Sequence, residues 1–234
     1  MKNFLPGLSN LIYPNLCFQC SQSLCSEHKI FCKVCWSYLE WANPKQRCKR
    51  CFQENCNAQK NCQKSRIYKK AFVFNYENSA ATWIHEFKNN GKYYLAESAG
   101  AFLAWQFLQL DWPKPDLIVA TPSCFIRNWK RGYQASQLMA NTMADILQVK
   151  SKSLLKKSHL ARPQTSLNRK ERMAMKKTHI SLRKNAAIQD LNVLLIDDVM
   201  TTGTSMERSA QALQEGYPKS IYAMSFAYTD HSSN

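Results

Sequence analysis

The stretch LLIDDVMTTGTS, residues 194–205, decides how this sequence is interpreted. An apolar run at 193–196 leads directly into two adjacent carboxylates, Asp197 and Asp198. A short, wholly apolar run is typical of a buried strand in a parallel sheet, and such sheets bind ligands at the carboxyl ends of their strands. The pattern therefore predicts a ligand site built on this strand end.

A loop of small hydroxyl-bearing residues, 201–205, follows the acids and leads into a predicted helix. Gly203 permits a tight turn, and the backbone N–H groups at a helix start form a site for an anion. We expect a phosphate on the loop and ligand hydroxyls or a metal near the acids, as a ribose 5-phosphate would provide. Helix capping alone needs only one such residue, and a Walker A loop would require Gly-Lys-Ser/Thr. A receiver domain does not fit, because only 36 residues follow Asp198.

The rest of the chain alternates apolar strands with amphipathic helices. Strands are predicted at 69–77, 116–120, 192–196 and 220–228, and helices at 79–110 (two, broken at 89–91), 134–147 and 204–215. This alternation predicts an α/β domain with a largely parallel sheet. Weak periodicity over 150–184 predicts a loop.

Nine of the ten cysteines lie between residues 17 and 62, which predicts a Cys-rich module at 1–66 before the domain at 67–234. Two CxxC pairs separated by eleven residues have the spacing of a four-thiolate zinc site, with ligands Cys17, Cys20, Cys32 and Cys35. A second set, made of Cys48, Cys51, Cys56 and Cys62, could hold a second zinc, although its second half is not a CxxC pair. Cys25 and His28 could substitute for a ligand of the first set. Four thiolates leave no open position, so the zinc is expected to be structural.

Disulfides and redox motifs are the alternatives for these cysteines. The N-terminus lacks the pattern of a secretory signal, which favours a reducing, cytoplasmic compartment and disfavours disulfides. A redox CxxC normally stands alone rather than in a series. No run of 18 apolar residues is present, so no membrane span is expected.

The formal net charge of +16 is concentrated in two segments. Residues 150–184 hold twelve Lys or Arg against one acid, and residues 45–70 hold nine against one. A field of a single sign attracts polyanions and phosphates, although one such cluster alone could be an ordinary solvated surface. The distribution predicts an anionic partner.

The sequence VLLIDDVMTTGTS resembles the phosphoribosyl diphosphate (PRPP) signature of type I phosphoribosyltransferases. Together with the four-cysteine N-terminus, the chain resembles the ComF family (ComFC and its GntX-like relatives). Further matching stretches are IHEFKNNGK (84–92), KRGYQASQLMA (130–140) and RPQTSLNRKER (162–172). The resemblance covers nearly the whole chain and implies a type I phosphoribosyltransferase-like sheet flanked by helices, preceded by a zinc-finger module.

By this resemblance, Asp197 and Asp198 would hold the ribose hydroxyls of PRPP, and Mg²⁺ would bridge its pyrophosphate and ribose oxygens. The implied PRPP site also includes Val199, Met200, Thr201, Thr202, Gly203, Thr204, Ser205, Lys88 and Arg131. The chain departs from the family pattern at Ala120-Thr121-Pro122, at Gln134-Ala135 and at Met175, positions that flank the implied pyrophosphate and second-substrate regions. Catalytic residues and the acceptor are therefore left unassigned.

The ComF family is associated with natural competence and with single-stranded DNA in the bacterial cytoplasm. The implied DNA-binding residues are Arg127, Lys130, Arg131, Arg162, Arg169, Lys170 and Arg172, and the expected protein partners are a competence helicase or a recombination mediator. Two other functions remain open. One is a phosphoribosyltransferase acting on a small acceptor, and the other is a zinc-module scaffold with a vestigial PRPP pocket.

Overall fold

The computed structural model describes residues 15–24, 30–54, 56, 62, 65–123, 132–158 and 179–229. Its helices are α1 (Lys33–Ser37), α2 (Asn78–Asn89), α3 (Tyr94–Leu108), α4 (Ala135–Leu147) and α5 (Thr204–Gln214). Its strands are β1 (Lys69–Asn75), β2 (Leu117–Ala120), β3 (Lys150–Ser151), β4 (Leu155–Ser158), β5 (His179–Leu182), β6 (Asn192–Met200) and β7 (Ser220–Tyr228).

Five strands form one sheet in the order β1-β7-β6-β2-β3, and every neighbouring pair is parallel. Residues 193–196 of β6 are fully buried, as are most of the side chains of β7. A strand covered on both faces must be apolar along its length, which explains why these segments are continuous hydrophobic runs. The prediction of an α/β fold with a largely parallel sheet is confirmed.

Helices α3 and α4 pack on each other and on the sheet. They approach closely at Gly100, where an added Cβ atom would stand 2.6 Å from the Met139 carbonyl oxygen. Helix α2 is joined to the start of α3 by the buried Trp83, whose indole N–H donates to the Leu95 carbonyl at 3.0 Å. Gly91, with φ +70°, lies in the turn between α2 and α3, at the break that the sequence predicts.

The cysteine-bearing segment covers the outer edge of β1. The Ala42 N–H donates to the Val73 carbonyl at 2.8 Å, and Trp41 forms an antiparallel bridge with Phe74. The buried Gln106 of α3 donates to the carbonyls of both Ala42 and Phe72. One continuous hydrophobic core therefore extends across residue 66, and the boundary between 1–66 and 67–234 stays a prediction.

The predicted loop at 150–184 is wrong at both of its ends. Strand β3 adds to the sheet beside β2, and β4 pairs with β5 in an antiparallel ladder. Leu155 and Ile180 each bury their side chains there, which gives the pair an apolar face. The intervening residues, 159–178, lie outside the described part of the chain.

Within the described ranges, none of the helices combines the length and the hydrophobicity needed to cross a bilayer.

Candidate functional site

The sheet opens beside β6 at the level of the two acids. Strand β2 ends at Ala120, which pairs with Ile196, and the Thr121 N–H makes the last contact to the Ile196 carbonyl at 2.8 Å. On the other side, β7 continues alongside β6 as far as Met200. Asp197 and Asp198 therefore lie just beyond the point where one neighbouring strand departs, and this is the type of crevice in which open α/β sheets bind ligands.

Asp198 is held by a cation from a different element. The Lys88 ammonium, in the last turn of α2, lies 2.6 Å from Asp198 Oδ2, and both side chains are largely buried. The other carboxylate oxygen accepts from the Val199 N–H at 2.7 Å. The structure thus brings Lys88 to the two acids, although 110 residues separate it from Asp198 in the sequence.

Asp197 is half-buried, and within the described residues it forms no ion pair. Burial raises the pKa of Asp197 to about 7, and the charge of Asp198 acts in the same direction. A hydrogen bond from the Thr121 side chain and one from the Asp198 N–H, at 2.9 Å, lower the pKa but do not outweigh burial. Asp197 therefore exchanges its proton near neutral pH, whereas an ordinary aspartate is fully charged there.

The hydroxyl-rich loop joins β6 to the first turn of α5. Gly203 adopts φ +72°, a conformation that L side chains rarely take, and its carbonyl accepts the Glu207 N–H at 2.9 Å. Thr202 and Thr204 share a hydrogen bond of 2.8 Å between their hydroxyls, and both side chains are exposed. Thr201 and Ser205 are exposed as well, whereas Met200 is buried beneath the loop. The start of α5 thus presents N–H groups and hydroxyls to solvent, which is the arrangement that binds a phosphate.

Four cysteines near the N-terminus converge as the sequence predicts. The sulfur atoms of Cys17, Cys20, Cys32 and Cys35 lie within 4.8 Å of one another. The Cys20 and Cys32 sulfurs are 3.7 Å apart, far beyond the roughly 2.05 Å of a disulfide. Sulfurs about 2.3 Å from a shared zinc stand about 3.8 Å apart in a tetrahedron, so the spacing fits a metal site.

The second cysteine set forms a similar group. The sulfur atoms of Cys48, Cys51, Cys56 and Cys62 also lie within 4.8 Å of one another, with 3.8 Å between Cys48 and Cys62. Burial raises the pKa of the Cys48 thiol, but backbone N–H groups of Cys51 and Arg50 outweigh it and lower the pKa to about 6. Cys17 in the first group has a pKa lowered to about 6 in the same way, against burial, by the N–H groups of Cys32 and Cys20. Both groups could hold a metal ion.

The remaining predicted site residues cannot be placed in this arrangement. Those outside the described residues are Arg127, Lys130, Arg131, Arg162, Arg169, Lys170 and Arg172. The roles of these basic residues in binding PRPP or DNA stay predictions. Cys25 and His28, the possible substitute ligands of the first cysteine group, also lie outside the described residues, and that role stays a prediction as well.

Three polar residues near the acids and the loop were not assigned to the site from the sequence. Thr121 supports Asp197, and its carbonyl accepts hydrogen bonds from the side chains of Gln134 and Ser136. Lys70 and Glu207 form an ion pair of 2.7 Å beside the loop. The departure from the family pattern at Thr121 could have indicated a role for that residue. No local pattern could reveal the other two, because they are 137 residues apart.

Comparison with known proteins agrees with this geometry. A sequence model of the family described as "Phosphoribosyl transferase domain" matches residues 94–233, which is more than half of the chain. The DNA utilization protein YhgH of Salmonella typhi is 24% identical over 221 aligned residues, covering 87% of this chain and 92% of the relative. YhgH of Escherichia coli (strain K12) is 24% identical over 213 residues with the same coverage. These matches confirm the family resemblance that the motifs indicated and the predicted phosphoribosyltransferase-like fold class.

Solved structures with a similar arrangement include a purine phosphoribosyltransferase from Pyrococcus horikoshii Ot3. It is 18% identical, and the match covers 61% of this chain and 79% of that chain at a TM-score of 0.41. The allosteric regulatory enzyme of purine biosynthesis is 16% identical over 56% of this chain at a TM-score of 0.40. The chain spans only 25% of the length of that enzyme. At TM-scores this low, neither likeness adds to the family match.

We expect two zinc ions per chain, one in each cysteine group. Cys35→Ser should remove one and unfold the N-terminal segment, because so small a module gains much of its stability from metal. The measurements are zinc content and tryptophan fluorescence, since Trp36 and Trp83 lie close to the first group. Ser37→Ala, at an exposed position two residues after Cys35 in α1, is the matched control. Two zinc ions retained in Cys35→Ser would contradict the assignment.

The raised pKa of Asp197 predicts a pH-dependent stability. An aspartate in the unfolded chain loses its proton near pH 3.9. Between about pH 4 and about pH 7 the folded protein therefore holds a proton that the unfolded chain has released, and the free energy of unfolding falls as pH rises. An asparagine at this position would not carry this penalty. The thermal stability of Asp197→Asn should therefore rise relative to that of the original chain as the pH increases from about 5 to about 8.

Thermal unfolding at these two pH values measures the effect. Asp145→Asn, which removes an exposed carboxylate from α4, controls for the loss of one acid. A difference between Asp197→Asn and the original chain that does not change with pH would exclude the raised pKa.

Proposed function

Because the chain belongs to the phosphoribosyl transferase domain family, we propose that it binds PRPP with Mg²⁺, or a related ribose 5-phosphate, at the open edge beside β6. One observation carries the proposal: a pair of acids and an exposed phosphate-type loop follow each other closely at the end of a buried strand. The acids suit ribose hydroxyls, and the loop suits the 5-phosphate. These are the two groups that any ribose 5-phosphate presents together.

Each side chain has a role that its contacts allow. The Asp198 carboxylate accepts hydrogen bonds from the ligand hydroxyls, and the Lys88 ammonium balances the negative charge of that carboxylate. An ammonium has three N–H donors and Asp198 takes one, so Lys88 can also contact a ligand phosphate without leaving the acid. Bound Mg²⁺ would supply charge neutralisation on the pyrophosphate, as it does generally for phosphoryl compounds. Zinc in the cysteine groups is structural in this proposal.

We also propose a role in handling single-stranded DNA in the cytoplasm, as part of natural competence. The similarity to DNA utilization proteins over most of the chain supports this role. The net charge of +16, concentrated in two segments, supports a polyanionic partner. The contacts would come from the basic residues predicted above, at 127–131 and 162–172, and a competence helicase or recombination mediator would be the protein partner.

Family membership favours a second candidate function, which is transfer of the phosphoribosyl group to a small acceptor. That reaction releases pyrophosphate, whereas a ligand-sensing site does not. Pyrophosphate release in the presence of Mg²⁺, PRPP and a panel of nitrogenous acceptors separates the two.

The proposed ligand should stabilise the folded protein. PRPP at about 100 times its dissociation constant adds about 2.7 kcal/mol to the free energy of unfolding, which corresponds to a rise in melting temperature of roughly 5 to 10 °C. Asp198→Asn should bind at least about tenfold more weakly, because it loses a charged hydrogen-bond acceptor. Calorimetric titration with Mg²⁺ and PRPP measures the affinity, and thermal unfolding measures the stabilisation.

Asp145→Asn is the matched control and should bind as the original chain does. Circular dichroism confirms that each variant is folded. A folded protein that shows no heat of binding and no stabilisation with PRPP would refute the proposed ligand.

Binding of single-stranded DNA should weaken steeply with salt. For single strands the slope of log K against log salt is about −0.7 per phosphate contacted, so several contacts cost orders of magnitude between about 50 and about 200 mM salt. Replacing Arg162, Arg169, Lys170 and Arg172 by Gln should reduce both affinity and slope. The measurement is fluorescence anisotropy with a labelled oligonucleotide.

A charge-matched control replaces four lysines at the amino end of the sheet by Gln, at positions 114, 150, 152 and 219. Equal losses in both variants would mean that net charge, rather than the segment at 162–172, attracts the DNA. Binding that is insensitive to salt would exclude a polyanion site.

A further inference from the structure

A lysine outside the signature stands beside the phosphate-type loop. Lys70 lies near the start of β1, and its Nζ atom is 3.9 Å from the point where a Cβ atom on Gly203 would stand. The side chain is 18% exposed, so the ammonium is neither fully solvated nor sealed in the core. It therefore lies close enough to the loop to contact an anion held there.

Glu207 fixes the position of that ammonium. It lies in the first turn of α5, and its Oε1 atom is 2.7 Å from Lys70 Nζ. The same carboxylate accepts hydrogen bonds from the Ser65 hydroxyl and from the Arg66 N–H, the latter at 3.2 Å. Burial raises the pKa of Glu207, but the hydrogen bonds from Lys70 and Ser65 outweigh it and hold the pKa below its ordinary value.

The backbone of Lys70 is fixed as well. Its N–H donates to the Arg50 carbonyl at 2.7 Å, within the second cysteine group between Cys48 and Cys51. Strand β1 continues from there as a partner of β7, with Lys70 opposite Ala223. Lys70 is thus held at its backbone by the cysteine segment and at its tip by α5, and little conformational entropy remains to be lost when a ligand binds.

The charge arrangement would otherwise disfavour an anion. Glu207 places a carboxylate one turn from a loop that is suited to a phosphate, and two negative charges that close repel each other. The Lys70 ammonium contacts this carboxylate and also stands near Gly203 of the loop. An ammonium has three donors, and within the described residues Glu207 is the one hydrogen-bond partner of the Lys70 ammonium.

We propose that Lys70 binds the 5-phosphate of the ligand directly, as a charged donor that completes the loop from a strand outside the signature. The inference rests on the proposed function, because it requires a ribose 5-phosphate at the loop. It goes further in naming a specificity-determining residue: Lys70 adds a preference for a dianionic phosphate over an uncharged group at that position.

The test uses Lys70→Met in the whole, zinc-loaded chain, because methionine keeps an unbranched stem and loses the charge. The probes are ribose 5-phosphate, which presents the loop phosphate without pyrophosphate, and PRPP with Mg²⁺. We expect affinity for both to fall about 10- to 100-fold, the range of a charge-assisted hydrogen bond. Lys70→Arg keeps the charge and should recover most of the loss.

Lys69→Met is the matched control. It removes the same charge from the adjacent residue of β1, where the Lys69 ammonium lies over the Tyr68 ring at 5.7 Å. Its affinity for both probes should stay within about twofold of the original chain, since successive strand residues point to opposite faces. An equal loss in Lys69→Met would show a general charge effect and overturn the proposal.

The double variant Lys70→Met/Glu207→Gln separates direct binding from simple neutralisation. If Lys70 binds the phosphate, the double variant recovers only the part of the affinity lost to repulsion by Glu207 and stays weaker than the original chain, because the direct donor is still missing. If Lys70 only cancels the charge of Glu207, removing both charges restores the full affinity of the original chain, and the proposal is overturned. Melting temperatures confirm folding, and Lys70→Gln, which retains a donor for Glu207, replaces the methionine variant should that variant unfold.

The outcome for the original chain separates this inference from the proposed function. Failure of the original chain to bind either probe refutes the proposed ligand and the role of Lys70 together. Binding by the original chain that is unchanged in Lys70→Met refutes the role of Lys70 alone.

Discussion

The site depends on the unequal lengths of the two strands that flank β6. Both neighbours pair with the apolar half of β6, so its backbone is hydrogen-bonded on both sides and its side chains at 193–196 are buried. Only β7 continues past Ile196, and the departure of β2 at Ala120 leaves one side open. Two adjacent carboxylates would be very costly within a closed sheet, because burying an unpaired charge disfavours folding strongly. Asp197, with its pKa raised to about 7, shows how much of that cost remains even at the open edge.

The cysteine-bearing segment supports this sheet rather than standing apart from it. The edge of β1 would otherwise present unpaired N–H and C=O groups, which invite pairing with another chain. Residues 40–42 cover that edge, and the buried Gln106 joins them to α3. Buried side chains of the segment, such as Phe31, Leu39 and Phe52, share one core with the sheet, and the two cysteine groups lie within the same segment. A metal ion held by either cysteine group would therefore also stabilise the edge of the sheet.

Much of the sheet and of the helix boundaries could be predicted from the sequence, because short-range patterns of apolar and turn residues determine them. Strands β1, β6 and β7 are apolar runs, and the break between α2 and α3 follows from Gly91 and its neighbours. Strand β4 was missed because Lys156 and Lys157 interrupt the alternation that would identify it. The extension of β6 to Met200 was missed because acids are unusual within a strand. The pair of Lys70 and Glu207 could not be predicted, since no local pattern connects residues on different elements of the fold.

That pair also explains why the phosphate-type loop and the second cysteine group cannot be treated as separate features. Ser65 and Arg66 closely follow Cys62 in the chain and both bond to Glu207, while the Lys70 N–H bonds to the carbonyl of Arg50, between Cys48 and Cys51. Movement of residues 65–66, or of Arg50, would therefore displace a hydrogen-bond partner of the Lys70–Glu207 ion pair beside Gly203. Since linkage between two binding sites is reciprocal, any effect of metal on an anion at the loop requires an equal effect of that anion on the metal. The contacts provide a physical route for such coupling through the Lys70–Glu207 ion pair and the backbone hydrogen bond of Lys70.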